Sequence, residues 1–338
     1  MPRSRLSADS LLTSAWRSRG TLTWLLLPVS LIFAGLAALR RRLYRVGVFK
    51  REKLSVPVIV VGNISVGGSG KTPLVLHLAQ QLLQNGFRPG LISRGYRGNT
   101  SGAREVYGDS VAREVGDEPL LLKRRFGGPV FVGKRRGAAA KALLAAWPDC
   151  NVIICDDGLQ HYALARDVEI AVIDRRGMMN GWLLPAGPLR EPVSRLSQVD
   201  AVVLNGLQNI AVSGPKFFRM ELAGSRFFLL DHPSRICDAS LQQGQRLHAV
   251  AGIGDPQRFF DQLLSLGITH DAHAFPDHHF YTAADLDFAG DAILTTEKDA
   301  VKFGGLAKLP VWVLPVEARV EPDLTQFLLE KLNGCPSA

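Results

Sequence analysis

Residues 58–73 read Val-Ile-Val-Val-Gly-Asn-Ile-Ser-Val-Gly-Gly-Ser-Gly-Lys-Thr-Pro, a β-branched run that feeds a glycine loop, followed by an apolar-periodic segment from Leu74 to Leu83. A buried strand that passes through glycines directly into a helix belongs to an α/β architecture. The same order is what a phosphate cradle requires. Gly67, Gly68 and Gly70 let successive backbone N–H groups point inward, the helix N-terminus adds its positive dipole end, Lys71 reaches terminal phosphates, and Thr72 offers a hydroxyl to Mg²⁺. Ser65, Val66 and Ser69 complete the loop, and Ser65 stands where the strict pattern G-x-x-x-x-G-K-[ST] has its first glycine. The implied ligand is a nucleoside triphosphate; the competing reading is a plain glycine turn.

Charge is distributed unevenly. Residues 1–53 hold eleven Lys and Arg (Arg3, Arg5, Arg17, Arg19, Arg40, Arg41, Arg42, Arg45, Lys50, Arg51, Lys53) and two acids (Asp9, Glu52), so the whole net charge of +9 lies there and residues 54–338 balance at zero. A body without excess cations has little to neutralise a nucleic-acid backbone, and no nucleic-acid partner is expected. The basic residues flank an uncharged run, Gly20 to Leu39. About 20 residues at about 1.5 Å each match a hydrocarbon core of roughly 30 Å. Trp16, Trp24 and Tyr44 are placed for the interfaces. A span and a helix lying in the interface, kinked at Pro28, both fit. A secretory signal would also fit, but export would carry a triphosphate-binding loop away from its nucleotide. The denser cations follow the run, which places the body in the cytoplasm. Four cysteines (Cys150, Cys155, Cys237, Cys335) without a C-x-x-C pair suit a reducing compartment and argue against structural zinc.

Pro57–Gly62, Gly90–Ser93, Val130–Val132, Val152–Cys155, Ile170–Ile173 and Ala201–Leu204 read as buried strands alternating with helical periodicity, which predicts a doubly wound, mostly parallel sheet. From Gly206 to Leu247 the rhythm breaks, with the aromatic runs Phe217-Phe218 and Phe227-Phe228 suggesting a linker hairpin. It resumes with His248–Ile253, a helix from Pro256 to Leu266, a strand leading to Phe275, then Ala292–Thr295 and Val311–Val316. The expected organisation is a basic segment with a membrane helix (1–53, helix 20–39), a phosphate-loop core (54–206), a linker (207–247) and a smaller C-terminal α/β domain (248–338).

Ligands in such sheets collect at the carboxyl ends of strands. Asn151 to His161, Asn-Val-Ile-Ile-Cys-Asp-Asp-Gly-Leu-Gln-His, has the form of a Walker-B strand, with Asp156 and Asp157 positioned for the metal. Asp117 in Gly116-Asp-Glu-Pro119 reads first as a helix N-cap. In Phe275-Pro-Asp-His-His279, adjacent histidines on a strand would point to opposite faces, and one of them is able to support a carboxylate base. Arg190, in the proline-framed loop Pro185 to Pro192, suits transferring phosphoryl charge, with a solvated loop as the alternative. Ser93-Arg-Gly-Tyr96 follows a strand end, where Arg94 is in place for phosphate and Tyr96 for stacking; Thr295 to Asp299 also follows a strand. Lys123 to Arg125 and Lys134 to Arg136 read as solvated helix faces.

Seven motifs run in order after an N-terminal hydrophobic helix. They are the phosphate loop from Gly62 to Pro73, Ser93-Arg-Gly-Tyr96, Gly116-Asp-Glu-Pro119, Asp156-Asp-Gly-Leu-Gln-His161, Gly187-Pro-Leu-Arg-Glu-Pro192, Phe275-Pro-Asp-His-His279 and Thr296-Glu-Lys-Asp-Ala300. Together they resemble the tetraacyldisaccharide 4′-kinase family over residues 20–335, in which a serine at the position of Ser65 is usual. The resemblance implies ATP- and Mg²⁺-dependent phosphorylation of the 4′-hydroxyl of a tetraacylated glucosamine disaccharide 1-phosphate, in lipid A biosynthesis at the inner face of the bacterial inner membrane. It implies Asp117 as the base, assisted across an interdomain cleft by a histidine matched to His278, with Asp156, Asp157 and Thr72 at the metal and Arg190 on the phosphoryl group. Asn63, Arg94, Tyr96, Glu118, Gln160, His161 and His279 are candidates for substrate contact or support, and no protein partner is indicated. A membrane-bound regulatory ATPase of the partitioning type is the alternative, against which Val66 stands where its signature lysine belongs. A GTPase fits less well, since no N-K-x-D follows a strand, and a non-enzymatic lipid binder would not need the Walker-B carboxylates.

Overall fold

The computed structural model describes residues 8–99, 101–207, 210–238 and 244–334; Arg3, Arg5 and Cys335 lie outside them. In chain order the helices are α1 (Ala8–Ala15), α2 (Thr21–Arg45), α3 (Lys71–Gln84), α4 (Ala112–Val115), α5 (Asp117–Phe126), α6 (Arg136–Ala146), α7 (Pro256–Ser265), α8 (Glu297–Ala300) and α9 (Leu324–Asn333). The strands are β1 (Val58–Gly62), β2 (Pro89–Ser93), β3 (Arg104–Glu105), β4 (Val130–Val132), β5 (Val152–Asp156), β6 (Val168–Asp174), β7 (Ala201–Asn205), β8 (Lys216–Ala223), β9 (Arg226–Leu229), β10 (His232–Asp238), β11 (Leu247–Ala251), β12 (Asp271–Ala274), β13 (Ala292–Thr296), β14 (Val311–Leu314) and β15 (Glu317–Glu321). Two compact units emerge, one from residues 1–71, 152–220 and 320–338, the other from 72–151 and 221–319.

In the first unit the strand order is β15-β8-β7-β6-β1-β5. The pairs β1–β5, β1–β6, β6–β7 and β7–β8 are all parallel. Parallel strands covered on both faces must be apolar throughout, and every residue of β1, β5 and β7 is buried. The central strand is Val58 to Val61, none more than 2 % exposed. Asp323 caps α9 by accepting from the N–H groups of Thr325 at 2.8 Å and Gln326 at 3.2 Å, and Phe327 of α9 packs on Phe218 of β8.

α2 inverts the usual amphipathic rule. Its small polar residues Thr23 and Ser30 are buried, while Leu25, Leu31, Ile32 and Leu36 are each more than 60 % exposed. Ser30 Oγ donates to the Leu183 carbonyl at 2.7 Å, and Trp24 meets Trp182 edge-on at 4.9 Å. The helix is long and apolar enough to cross a membrane, with a mean hydropathy of 2.2 over its most apolar stretch. It runs on to Arg45, beyond the expected limit at Leu39, because nothing in Arg40-Arg-Arg-Leu-Tyr-Arg45 breaks a helix.

In the second unit, β2, β4 and β3 lie side by side, with β2–β4 parallel and β3–β4 antiparallel. A six-stranded sheet has the order β10-β9-β14-β13-β11-β12. Strands β14, β13, β11 and β12 are parallel neighbours, with β12 at the edge, and the hairpin β9–β10 adds to β14 antiparallel. One face packs Phe227, Leu247, Phe259, Phe260 and Leu263; the other packs Tyr281, Ile293, Phe303 and Val313. The segment 207–247 holds more than a hairpin. Its first aromatic run, Phe217-Phe218, lies in β8 and pairs parallel with β7, while the second, Phe227-Phe228, lies in β9. Alternation turns Phe218 into the core beside β7 and sends Phe227 and Phe228 to opposite faces of the six-stranded sheet, each against a core cluster.

Candidate functional site

The loop after β1 is held from outside by side chains. Asn63 Nδ2 donates to the Gly67 carbonyl at 3.3 Å, Arg176 Nη2 to the Gly68 carbonyl at 3.0 Å, and Asn205 Nδ2 to the Ser69 carbonyl at 2.9 Å. With three successive carbonyls tied back, the loop N–H groups are released to face a ligand. Gly67 and Gly70 have φ of +96° and +90°, a region that side-chain-bearing residues rarely enter. A Cβ on Gly67 would stand 2.8 Å from Arg176 Nη1, and one on Gly70 would strike the Asn205 amide, while Gly68 faces open space. Ser65 pairs with Leu189 in an antiparallel bridge, and the Val66 N–H donates to the Pro188 carbonyl at 2.9 Å. The loop thus rests on the segment carrying Arg190, whose own N–H donates to the Ile64 carbonyl at 2.7 Å.

Beyond β5, Asp157 sits at φ +49°. Its carboxylate meets Lys71 Nζ at 3.5 Å and Arg190 Nη1 at 3.2 Å, so two cations from separate motifs converge on one point. Asp156, at the end of the strand, is fully buried. Gln160 Nε2 donates to the Asn63 carbonyl at 2.9 Å and to Glu191 Oε2 at 3.3 Å. Glu191 also accepts from the Tyr162 hydroxyl and pairs with Arg195, itself bound to Glu169 at 2.6 Å. Burial, then the nearby Glu191 carboxylate, pushes Tyr162 up to about 12. His161 supplies its carbonyl to Arg166.

Mg²⁺ bound with a nucleotide takes one or two carboxylates plus phosphate oxygens and waters. In the first unit the carboxylates of Asp156 and Asp157, the latter beside Lys71, are donors of the type that requirement names. Among the described residues no cluster of three or more His, Cys, Asp or Glu forms a closed metal cage.

In the second unit, Asp117 Oδ2 lies 2.8 Å from His278 Nδ1, joining residues 161 positions apart. Asp117 is the first residue of α5, not its cap; the cap is Gly116, and Asp117 Oδ1 accepts the Glu118 N–H at 2.9 Å. One oxygen therefore starts the helix and the other serves the histidine. Burial pushes the Asp117 carboxyl up, but the hydrogen bond from His278 and the charge of Lys298 outweigh it and hold it below the ordinary carboxylate value.

His278 and His279 are in a turn after β12, not on a strand, because Pro276 ends the ladder. His278 takes φ +59°, a strained conformation for a residue with a Cβ and of the kind that collects at functional sites. Its N–H donates to the Gly252 carbonyl at 3.2 Å and its carbonyl accepts from Arg97 Nη1 at 3.1 Å. His279 instead stacks on Phe275 and meets Asp285 at 3.3 Å, away from Asp117. Tyr96 is half exposed and stands edge-on to the His278 ring at 5.3 Å, while Arg94 is exposed. Tyr96, Arg97, Gly116, Asp117, His278 and Phe280 line an open cleft. Glu118 Oε1 is 3.1 Å from Lys298 Nζ.

Arg176, Asn205 and Lys298 were not singled out for roles by the sequence. Arg176 and Asn205 follow or end β6 and β7, so the rule that ligand-binding groups gather at the carboxyl ends of parallel strands points to them as it does to Asp156.

The family description Tetraacyldisaccharide-1-P 4′-kinase matches residues 22–333. Tetraacyldisaccharide 4′-kinase of Azoarcus sp. (strain BH72) is 53 % identical over 329 residues, covering 96 % of each chain. The enzyme of that name from Dechloromonas aromatica (strain RCB) is 54 % identical over 321 residues, 94 % of this chain and 95 % of its own. A crystal structure of LpxK from Aquifex aeolicus in complex with ATP superposes with a TM-score of 0.80 at 32 % identity, covering 92 % of this chain and all of that one. With a phosphate loop, a strand-end aspartate pair and a buried Asp–His pair in one fold, and with relatives matching along nearly its whole length, this chain belongs to the tetraacyldisaccharide-1-P 4′-kinase family.

Proposed function

We propose that this chain transfers the γ-phosphoryl group of ATP to the 4′-hydroxyl of a tetraacylated glucosamine disaccharide 1-phosphate at a membrane surface, as expected of an enzyme of this family. The observation that carries the reading is the Asp117–His278 pair, 2.8 Å apart with Asp117 buried and His278 largely so, on a chain whose separate phosphate loop is held open by side chains. An alcohol is too weak an acid to ionise at neutral pH, and a buried carboxylate kept anionic is suited to take its proton. Asp117 is the base. His278 holds it through Nδ1, and Tyr96 and Phe280 border the approach.

Gly67 to Lys71 receive the nucleotide phosphates through their N–H groups and the Lys71 ammonium, while Ser65 and Val66 fasten the loop to Pro188 and Leu189. Arg190, beside Lys71 on Asp157, neutralises charge developing on the transferred group. Asp156 and Asp157 would hold Mg²⁺, which when bound supplies charge stabilisation to the phosphate oxygens. Gln160 and Glu191 brace Asn63 and the arginine loop. We infer a division of labour between a phosphate-loop core (54–206) and a smaller C-terminal α/β part (248–338), a division by function that differs from the two compact units of the structure.

We infer that α2 lies along the membrane face of the body. Support comes from its contacts along the whole helix: Trp24 with Trp182, Ser30 with Leu183, Arg40 with the Gln160 carbonyl, Tyr44 with Tyr162 and Arg45 with Gln198. A helix held to a polar body at both ends, about 32 Å apart from Trp24 to Arg45 at about 1.5 Å per residue, does not cross a bilayer between them. Its exposed leucines face lipid, the medium of the acylated acceptor, and the body faces the cytoplasm, where ATP is found.

The test is to supply ATP, Mg²⁺ and the disaccharide 1-phosphate in mixed micelles and locate the new phosphate by NMR. ATP turnover that requires the lipid, with phosphate on the 4′-oxygen, is expected. Turnover indifferent to the lipid would return the chain to the regulatory ATPase class.

A further inference from the structure

Lys298 stands at the other side of the His278 ring, in the same unit as Asp117. Its Nζ is 3.1 Å from Glu118 Oε1, 3.1 Å from Asp277 Oδ1 and 3.5 Å from His278 Nε2. The short α8 that carries it is tightly fixed. Thr296 caps the helix, and the neighbouring Asp299 is fully buried, accepting from the Gly252 N–H at 3.0 Å and the Tyr281 hydroxyl at 3.1 Å. Gly252 in turn offers its carbonyl to the His278 N–H. The ammonium and the imidazole are therefore placed by one connected set of hydrogen bonds.

An ammonium group has only donors. Burial works against its charge, but Glu118, Asp277 and Asp117 outweigh burial and push Lys298 well above the ordinary lysine range, so it stays protonated. A cation facing Nε2 leaves that nitrogen only the role of acceptor. The single ring proton then belongs on Nδ1, where it is donated to Asp117 Oδ2. We propose that Lys298 is a positioning residue that fixes His278 as the neutral Nδ1–H tautomer, and thereby keeps Asp117 ionised with its proton-accepting capacity intact. The proposal rests on the reading of Asp117 as base.

Every charged group around the ring enters this balance. Asp117 from α5 and Asp277 from the ring's own turn, at 3.7 Å from Nε2, favour a doubly protonated ring. Lys298 opposes it directly and by occupying Glu118 and Asp277. Arg97 binds the His278 carbonyl, Tyr96 presents only a ring edge, and Lys302 acts on Asp117 through its charge. Without Lys298 the carboxylates of Asp117 and Asp277 would face the imidazole with no cation between them, and an imidazolium paired with Asp117 would make that carboxylate a much weaker base.

The experiment uses the full chain with ¹⁵N-labelled histidine, the His278 signals being those lost in His278→Gln. Ring ¹⁵N shifts and kcat are followed against pH for the parent, Lys298→Met and Lys298→Arg. The parent is expected to show the Nδ1–H pattern at pH 7.5. In Lys298→Met the ring takes a second proton at higher pH, the acid limb of the kcat profile moves up by about one pH unit or more, and activity recovers toward high pH. Lys298→Arg, which keeps the charge, restores the parent profile. An Nε2–H ring in the parent would overturn the proposal whatever happens to the variants. So would a folded Lys298→Met with unchanged ring titration. Ring shifts are read without turnover, so this result is separate from failure of Asp117 as base, which kcat of Asp117→Asn reports.

Discussion

Replacing Asp117 with Asn removes one charge and turns one acceptor into a donor. In the parent, Oδ1 accepts the Glu118 N–H at 2.9 Å and Oδ2 accepts from His278 Nδ1 at 2.8 Å. An asparagine that keeps its oxygen on Glu118 presents N–H to the Nδ1–H of His278. A shift of the ring proton to Nε2 only moves the conflict, since Nε2 then faces the Lys298 ammonium 3.5 Å away. Either way donors face each other, at Asp117, which is 6 % exposed, or at the partly buried Nε2–Lys298 contact. A buried group left unsatisfied costs about 1–3 kcal/mol, which for a chain of this size lowers Tm by a few degrees. The kinetic loss is larger. General base catalysis is worth about 10²–10⁴-fold, and a loose phosphoryl-transfer transition state, needing little early deprotonation, favours the lower end, about 10²-fold in kcat. The assay is kcat with ATP and the disaccharide lipid in micelles for Asp117→Asn, His278→Ala and the double variant, beside the Tm of each. Because residues acting as a unit are strongly non-additive, the double variant is expected to be barely slower than Asp117→Asn. A folded Asp117→Asn within a few-fold of parent kcat would refute the assignment and leave Asp117 as the residue that starts α5.

Lys71→Ala removes a cation from the phosphate loop and is expected to lower kcat by about 10³-fold or more; near-parent turnover would remove the nucleotide assignment from this loop. Asn205→Ala frees the Ser69 carbonyl, now held at 2.9 Å, and the loss of one such bond, about 1 kcal/mol, should raise KM for ATP roughly five-fold while leaving KM for the lipid alone; equal changes in both would show a general loss of structure. Leu25→Glu with Leu31→Glu places two charges on exposed positions of α2 and is expected to release the protein from anionic vesicles in flotation assays without a change in Tm; undiminished flotation would move the membrane seat elsewhere. Asp117 is held below the ordinary carboxylate value by His278 and Lys298 against burial, so its contribution to stability is present above about pH 4 and fades as pH falls through the lower folded value; urea midpoints between pH 6 and 3 should fall more steeply for the parent than for Asp117→Asn, and parallel curves would contradict this.

Local chemistry made much of this legible in the sequence. The Val-Ile-Val-Val run, the glycines at positive φ and the aspartates closing β5 are each set by neighbouring residues, and they stand where their spacing predicts. The reading of Asp117 as a helix cap was one position out, because the helix starts on the carboxylate itself and frees its second oxygen for a partner 161 residues away. No local pattern encodes that distance. The choice between His278 and His279 was equally out of reach, since it depends on a turn at φ +59° where alternation along a strand does not apply. Phe217 and Phe218 misled for a related reason. Aromatic pairs suit an edge hairpin and a buried parallel strand alike, and only pairing with β7 separates the two.

The same long-range dependence ties the membrane helix to the chemistry. Trp16 Nε1 donates to the Pro185 carbonyl at 2.9 Å, and Ser30 holds the Leu183 carbonyl at 2.7 Å. Leu183 and Ser65 both bridge to Leu189, and Arg190 donates to the Ile64 carbonyl. Helix α2, the arginine loop and the phosphate loop are thus successive links in one hydrogen-bonded series within the first unit. Removing α1 and α2 would strip the inner support from the segment that carries Arg190, so a truncated chain should lose kcat even on an acceptor dispersed in detergent, where membrane binding no longer matters. Leu25→Glu with Leu31→Glu, which leaves Trp16 and Ser30 in place, should lose only the membrane. If the truncated chain matched the parent on the dispersed acceptor, the helix would be an anchor alone; a gap between the truncation and the double substitution would show that it also holds the arginine loop in shape.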